Sequence, residues 1–290
     1  MWKRSWVAVA RAEEVPDNAP VQVLVAGDAW VLTRMDGTLT AFEDRCPHQR
    51  SPLSDGAVTR AADGTPRLSC AYHGWRFDGA GRCDLIPGRG KQARIGKRAV
   101  LRPAYGVAER YGLIWLAARE PLAPLPAFPE WAGDAIEGAR ARAVRTQASA
   151  GQVVEGFLDA AFTISSRDGG VYEPRVIKSA GPHAAVHVRL ELPHARIAIL
   201  LACQPEDWGS TRVFTLITRA GPAGDATRLA RFVSAADRAV REDLATLERG
   251  ARAVIPLEDR GAEAGTPADR LSVAWRRVMA RAVYDQRHGV

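Results

Sequence analysis

Two short segments of the chain each place a cysteine beside a histidine. The first reads CPH (46–48), and 21 residues separate it from the second, which reads CAYH (70–73). A [2Fe–2S] cluster with two thiolates on one iron and two imidazoles on the other needs two such mixed loops that face each other. The spacing therefore predicts a cluster of this kind, with Cys46, His48, Cys70 and His73 as its ligands.

Two other interpretations of these residues remain open. Zinc accepts the same four side chains, although small zinc modules usually keep the two cysteines together and the two histidines together. Four unrelated residues are the second alternative, but two mixed pairs punctuated by glycine and proline rarely arise by chance. A zinc protein would be colourless, whereas the cluster is coloured and gives an electron-spin signal on reduction.

The segments around the four residues resemble a known family. CPHQRSPL (46–53), CAYHGWRFDGAGRC (70–83) and the stretch 86–117 are similar to the Rieske domain of Rieske non-haem iron oxygenases, the α subunits of aromatic ring-hydroxylating systems and related demethylases. Gln49 stands where the family often has arginine, and the loop between the ligand pairs is enlarged around residues 62–65. The resemblance implies that Tyr72 and Trp75 shield the cluster, and we expect Cys83 to pack rather than bind iron.

The same resemblance implies a second, mononuclear iron held by two histidines and one carboxylate. The family pattern runs Asn, two residues, Asp, two residues, His, four residues, His, with a later Asp as the third ligand. Here Asp159 matches the first Asp, which in the family bridges electron transfer between subunits. Gly156 replaces the Asn, Phe162 and Arg167 replace the two histidines, and Asp243 stands at the position of the third ligand.

These replacements predict a degenerate mononuclear site without its own Fe(II). Phenylalanine offers no lone pair, and arginine is a permanent cation that repels a dication. Arg167 could pair with Asp243 and fill the vacancy. A relocated iron site is the alternative, because His183 and His187 are four residues apart on a predicted strand and His194 lies near a strand end.

Two functions follow from these expectations. In the first, the chain is an electron-transfer or structural subunit, in a mixed oligomer with an intact paralogue or in a homotrimer. In the second, it is a working monooxygenase or dioxygenase of a small organic, often aromatic, substrate, with a displaced iron. Both imply electrons from a ferredoxin or a ferredoxin reductase; neither assigns a substrate or a catalytic residue.

A basic surface near the second loop could dock an acidic electron carrier. An ordinary solvated surface explains the same charges equally well. The residues concerned are Arg76, Arg82, Arg89, Lys91, Arg94, Lys97 and Arg98.

Composition narrows the remaining function classes. The net charge is +7, but the arginines are spread along the chain without interleaved aromatics, which argues against nucleic-acid binding. The apolar runs are too short to span a membrane. The N-terminus has no apolar run or cleavage site typical of a signal peptide, so we expect a cytoplasmic protein. Only four residues are lysines: Lys3, Lys91, Lys97 and Lys178.

The pattern of apolar residues predicts an α+β protein with two domains. We expect an all-β Rieske domain (1–118), a linker with four prolines (119–134), and a C-terminal domain (135–290) that the resemblance identifies as a helix-grip fold, an antiparallel sheet with helices. Predicted strands in the first domain are 6–10, 21–25, 30–34, 39–43, 72–77 and 113–117. In the second domain, strands are predicted within 176–192, 197–203 and 213–219, and helices over 149–162, 237–253 and 268–283.

Overall fold

The computed structural model describes residues 1–88, 96–131, 136–159, 164–165, 171–172, 175–181, 184–192, 195–220, 226–250 and 269–288. The chain divides into two compact units. We call Ala8–Pro121 the N-terminal unit, and Leu122–Val290 together with Met1–Val7 the C-terminal unit. The predicted boundaries placed the first seven residues with the Rieske domain, whereas in the structure the N–H of Leu122 donates to the carbonyl of Arg4 at 2.9 Å.

The N-terminal unit is built from three antiparallel sheets. Their strand orders are β2-β3-β4, β5-β6-β7-β8 and β1-β10-β9. The strands are β1 (Trp6–Arg11), β2 (Pro20–Val25), β3 (Asp28–Met35), β4 (Thr38–Glu43), β5 (Ala57–Arg60), β6 (Pro66–Ser69), β7 (Arg76–Phe77), β8 (Cys83–Leu85), β9 (Gly106–Arg110) and β10 (Leu113–Ala117), with a short 3-10 helix at Ala12–Glu14. Another 3-10 helix, at Trp2–Arg4, belongs to the C-terminal unit.

Two-residue turns set the register of its hairpins. Asp36 and Gly37 join β3 to β4, and both have positive φ (51° and 79°). This is the turn geometry whose twist matches that of the flanking strands. Ala26 and Gly27 join β2 to β3 in the same way, with φ of 48° and 81°, so the turn lies one residue earlier than the Gly27-Asp28 pair suggests.

The predicted strand over 72–77 is wrong except at its end. Only Arg76–Phe77 forms a strand. The residues before it close a tight loop in which the N–H of Cys70 donates to the carbonyl of Trp75 at 2.9 Å. Aromatic residues suggested a strand here, but the backbone groups of this segment are used within the loop.

The C-terminal unit consists of one large antiparallel sheet with helices on one face. The strand order is β11-β18-β17-β16-β15, and β12 also pairs with β18. The elements are β11 (Ile136–Arg140), β12 (Val144–Thr146), α1 (Ala150–Asp159), a small β13 (Ile164–Ser165) and β14 (Val171–Tyr172) pair, β15 (Arg175–Ala180), β16 (Ala185–Leu192), β17 (Ala195–Pro205), β18 (Thr211–Ala220), α2 (Ala226–Arg249) and α3 (Arg270–His288). The predicted α+β class is confirmed.

Alternation along β16 decides which side chains face the helices. Val186, Val188 and Leu190 are buried in one apolar core with residues of α1 and α2. Successive residues of a strand point to opposite faces. His187 and Arg189 therefore lie on the face away from the helices.

The proline-rich segment packs on that outer face of the sheet. Phe128 is completely buried, and its ring meets the imidazole of His187 edge-on with centroids 5.3 Å apart. A 3-10 turn follows at Pro129–Trp131, where a carboxylate oxygen of Glu130 lies 3.2 Å from Nε2 of His187. The segment is thus part of the C-terminal unit.

Replacing Phe128 with alanine tests this packing. We expect Phe128→Ala to lower the free energy of unfolding of the C-terminal unit by about 3–5 kcal/mol, because a buried ring leaves a cavity. Trp208→Ala is the control, since Trp208 is 73% exposed and should change stability by less than about 0.5 kcal/mol. Chemical denaturation followed by circular dichroism measures both. Equal small effects would contradict a structural role for the segment.

Candidate functional site

The two cysteine–histidine segments fold as loops with the same backbone hydrogen-bond pattern. In each loop, the cysteine N–H donates to the carbonyl five residues ahead, and its carbonyl accepts the N–H from four residues ahead. The residue at that fourth position, Arg50 or Gly74, has positive φ (60° and 65°) and reverses the chain. The four bonds are Cys46 N to Ser51 O (2.8 Å), Arg50 N to Cys46 O (2.8 Å), Cys70 N to Trp75 O (2.9 Å) and Gly74 N to Cys70 O (3.0 Å).

The two cysteines lie together inside the apolar core of the N-terminal unit. Cys46 is 1% exposed and Cys70 is 4% exposed, and both belong to a cluster that includes Phe42, Leu68 and Phe77. The pKa of the Cys46 thiol is raised to about 11, chiefly by burial, and the neighbouring sulfur of Cys70 acts in the same direction. Bound metal ions offset this cost because they coordinate the thiolate form.

The two histidines, in contrast, lie at the surface. The rings of His48 and His73 meet at an angle of 68° with centroids 4.8 Å apart. Trp75 stacks on His48 with an interplanar angle of 10°, and Tyr72 lies against His73 with centroids 3.9 Å apart. Tyr72 is itself 59% exposed, so it covers one face of an imidazole but does not seal the loop tips.

An open cavity borders these rings. Its volume is about 850 Å³, and the residues that line it are His48, His73 and Trp75, together with Pro47, residues 86–88, Gly96, Arg98 and Ala99. The imidazole edges are therefore reachable from solvent, whereas the sulfurs are not.

This arrangement fits a [2Fe–2S] cluster that is held by two sulfurs on the inner side and two nitrogens on the outer side. Each iron of such a cluster takes only two protein ligands. Among the described residues, no three His, Cys, Asp or Glu side chains converge on a single ion. Cys83 stays outside the loops, where its thiol contacts the carbonyl of Leu85 at 3.4 Å.

Sequence reasoning missed the residue that anchors the first loop. Asp44 is 3% exposed, and its Oδ1 accepts the N–H groups of Leu53 (2.7 Å) and Ser54 (2.8 Å). Its Oδ2 accepts the Ser54 hydroxyl and Nε2 of Gln22, both at 2.6 Å. One carboxylate thus ties both ends of the loop together. The available signal was an aspartate two residues before a ligand cysteine.

The second candidate site lies between α1 and α2 of the C-terminal unit. The two helices are antiparallel, since the N–H of Gln147 donates to Glu248 at 2.9 Å and Nε2 of Gln152 donates to the carbonyl of Gly250 at 3.4 Å. Gly156 marks a close approach, because a Cβ atom there would lie 2.9 Å from Cδ1 of Leu247. The family's asparagine would not fit at this point without movement of Leu247.

Asp159 and Asp243 lie one helical turn beyond this contact on their respective helices. Burial raises the pKa of Asp159 more than Ser272 and Lys178 lower it. Burial likewise raises the pKa of Asp243, and Lys178 again acts in the opposite direction. The two predicted carboxylates thus share one charged neighbour, Lys178, which sequence analysis did not single out.

A buried ion pair lies beside these carboxylates. Arg276 of α3 binds Glu155 of α1 through both guanidinium edges, with Nη2 at 2.7 Å from Oε2. The two side chains are 7% and 12% exposed. Removing one partner of such a pair leaves an uncompensated charge in the interior, so the pair fixes α1 against α3.

His187 does not join the carboxylates. It lies on the outer face of the sheet, whereas Lys178 is paired across strands with Val188 and shares the helix-facing side. Burial lowers the pKa of His187 more than Glu130 raises it. Phe162, Arg167, His183 and His194 lie outside the described residues, so the proposed pair of Arg167 with Asp243 stays a prediction.

Two families match consecutive parts of the chain. The Rieske [2Fe-2S] domain matches residues 5–102, and the vanillate O-demethylase oxygenase C-terminal domain matches residues 161–285. The chain belongs to the Rieske non-haem iron oxygenases. The cluster domain comes first in the chain and the oxygenase-type domain second.

Curated relatives match this chain over part of their length. The 4beta-methylsterol monooxygenase of Methylococcus capsulatus is 42% identical over 33% of the chain, which is 26% of that protein. Protein TIC 55 of Arabidopsis thaliana is 36% identical over 45% of the chain and 23% of its own length. The chain thus spans about a quarter of the length of these relatives.

Solved structures share the fold of both units. NdmA of Pseudomonas putida has a TM-score of 0.81 and 20% identity, with 99% of this chain and 92% of that chain covered. Apo dicamba monooxygenase has a TM-score of 0.71 and 21% identity, with 100% and 99% covered. Among the helices that the structure describes, none is long and apolar enough to cross a bilayer.

Among the described residues of the predicted basic docking surface, some arginines are already paired with acidic side chains. Arg76 lies 3.6 Å from Asp84 and is largely covered, and Arg82 pairs with Asp78 at 2.9 Å. Lys97 and Arg98 are exposed beside the histidine cavity. Arg89, Lys91 and Arg94 lie outside the described residues.

Serine substitutions test the ligand assignment. Cys46→Ser should lose the visible colour, the iron and the labile sulfide together, because a hydroxyl does not replace a buried thiolate ligand. Cys83→Ser is the matched control, since Cys83 packs in the same unit, and it should retain all three. Metal and sulfide analysis of purified protein measures this. Zinc without labile sulfide in the unaltered chain would contradict the iron–sulfur assignment.

Asp44→Asn tests the anchor of the first loop. The amide of the new asparagine would point its N–H donors at the Ser54 hydroxyl and the Gln22 amide, which are themselves donors in the unaltered chain. We therefore expect the loop to lose about 1–3 kcal/mol of stabilisation. We expect the visible absorbance of the cluster to decay faster on mild warming than in the unaltered chain. Asp55→Asn, at an exposed neighbouring position, should decay at the original rate; equal rates in both variants would rule out the anchor role.

Proposed function

We propose that this chain is a Rieske [2Fe–2S] component that lacks its own oxygen-activating iron and serves an intact partner as an electron-transfer or structural subunit. The observation that carries the proposal is the replacement of both histidine positions of the mononuclear site, by Phe162 and Arg167. Aspartates alone remain from the family pattern.

Neighbouring contacts support the same interpretation. At Gly156, the asparagine of the family pattern would require the side chain of Leu247 to move, because a Cβ there would lie 2.9 Å from its Cδ1. His187, one of the candidate replacement ligands, faces away from Asp159 and Asp243. A cation, Lys178, acts on both aspartates and opposes the effect of burial on the pKa of each.

The N-terminal unit retains what an electron carrier requires. When bound, the cluster supplies one-electron redox chemistry at roughly −150 to +300 mV. Cys46 and Cys70 hold it from within the apolar core, which excludes water from the sulfurs. His48 and His73 present their ring edges at the surface, where a donor protein could approach them directly.

The partners follow from this geometry and from the family. A ferredoxin or ferredoxin reductase would supply electrons, and the exposed Lys97 and Arg98 would favour an acidic carrier through charge steering. An intact paralogue in a mixed oligomer, or a homotrimer, would place Asp159 as the bridge that the family uses between neighbouring subunits. The competing proposal is a working oxygenase with a relocated iron, which the named activities of its relatives favour.

Iron counting separates the two proposals. The electron-transfer subunit should contain two irons and two labile sulfides per chain, and a working oxygenase should contain three irons. Iron and acid-labile sulfide are measured on the chain purified alone and with a co-expressed paralogue.

Activity provides the second half of this test. We expect no oxygenation by the chain alone and oxygenation only in the mixed preparation. The control is the same co-expression with Cys46→Ser, which should remove the contribution of this chain's cluster. Full turnover by the single purified chain would overturn the proposal.

A further inference from the structure

We infer that His187 and Glu130 form a proton-sensitive contact, which holds the proline-rich segment on the sheet while His187 is neutral and weakens when His187 takes up a proton. The contact joins β16 to the 3-10 turn at Pro129–Trp131. It acts on the covalent connection between the two units, since the segment runs on from Pro121, where the N-terminal unit ends.

Two buried polar atoms face each other at this contact. Nε2 of His187 lies 3.2 Å from Oε2 of Glu130, and the two side chains are only 15% and 26% exposed. Among the described residues, neither atom has a hydrogen-bond partner, which is uncommon for buried polar groups. A nitrogen that can take up a proton therefore lies beside a carboxylate to which it is not yet hydrogen-bonded.

Two aromatic side chains of the segment hold it at this place on the sheet. Phe128 is fully buried, and its ring meets the imidazole of His187 edge-on with centroids 5.3 Å apart. The ring of Trp131 lies 6.0 Å from that of Phe128 and covers Gly138 of β11, where a Cβ atom would come within 3.4 Å of its Cζ3. The imidazole of His187 is consequently covered when the segment is docked and would regain water if the segment left.

The charges around His187 are unequal in sign. Among the described residues, the charged groups that face it are Glu130 and Arg189. Arg189 shares the outer face of β16 because it is two residues further along the strand, and its Nε lies 3.8 Å from Oε1 of Glu130. The residues directly opposite His187 on β15 and β17 are Ser179 and Leu200, which are uncharged. A protonated imidazole would therefore share one carboxylate with a permanent cation.

Docking of the segment favours the neutral imidazole. Burial of the ring disfavours its protonation most, and Arg189 adds to this effect, so the pKa of His187 is lowered although Glu130 acts in the opposite direction. A released, hydrated histidine has an ordinary pKa of about 6.5. Because the docked pKa is the lower of the two, docking has its full strength above about pH 6.5 and weakens as the pH falls through the docked pKa.

Amide hydrogen exchange on the full chain with its cluster tests this contact. Exchange of peptides from residues 122–131 is measured by mass spectrometry at about pH 7.5 and about pH 5.5, and each rate is corrected for the intrinsic effect of pH. We expect their protection to fall by about threefold to tenfold at the lower pH, since about tenfold is the limit at one pH unit below the released pKa. Peptides from β17 in the core of the sheet should keep their protection.

Substitutions at the contact separate it from a general effect of acid. The amide of His187→Gln does not titrate, so protection of the segment should change by less than about twofold between the two pH values. Glu130→Gln removes the charge that favours the imidazolium, whereas Arg189→Met removes one that opposes it, so the acid-induced loss should be larger in Glu130→Gln. Glu191→Gln is the control, because Glu191 lies on the same strand but pairs with Arg175 at 3.5 Å, and it should behave like the unaltered chain.

The outcomes decide for or against the contact. An acid-induced loss that persists in His187→Gln would overturn the inference, and so would an equal loss in the β17 peptides, because acid would then act on the whole unit. If His187→Gln does not fold, the two charge variants decide. A larger loss in Glu130→Gln than in Arg189→Met supports the contact, and equal or reversed losses contradict it.

Discussion

The burial of two neighbouring thiols is the constraint on which the N-terminal unit depends. Cys46 and Cys70 lie in an apolar core, where the Cys46 thiol resists ionisation and a thiolate without a metal would be costly. The chain therefore needs two loops that deliver sulfur inward and imidazole outward at once. The shared hydrogen-bond pattern of these loops, the left-handed residues Arg50 and Gly74, and the Asp44 anchor all serve that geometry.

Local patterns in the sequence were sufficient to predict the two loops that carry the cysteine–histidine pairs and most of the strands. Cys46, His48, Cys70 and His73 are close in sequence within each loop, so their spacing alone indicates their chemistry. The strand predicted over 72–77 was wrong because the aromatic residues there favour strands, whereas the backbone groups of this segment form hydrogen bonds within the loop. Asp44 was missed because its partners, Gln22 among them, are brought to it only by the hairpins.

The second site shows where local reasoning ends. Asp159 and Asp243 could be aligned to a family pattern, but their surroundings depend on a strand and helices that meet only after folding. Lys178, which influences the pKa of both, lies on β15, which carries no motif. The helix contact at Gly156 likewise needs the position of Leu247, and the buried pair of Glu155 with Arg276 joins residues 121 positions apart. Such contacts follow from packing rather than from spacing.

The grouping of Met1–Val7 with Leu122–Val290 gives the chain an unusual connectivity. The cluster-bearing unit is an insertion in the other unit, entered after Val7 and left after Pro121. A single cleavage after Pro121 would leave the cluster-bearing unit whole but would separate Met1–Val7 from the rest of the C-terminal unit. The oxygenase-type half consequently includes residues that lie, in linear order, on the far side of the cluster-bearing unit.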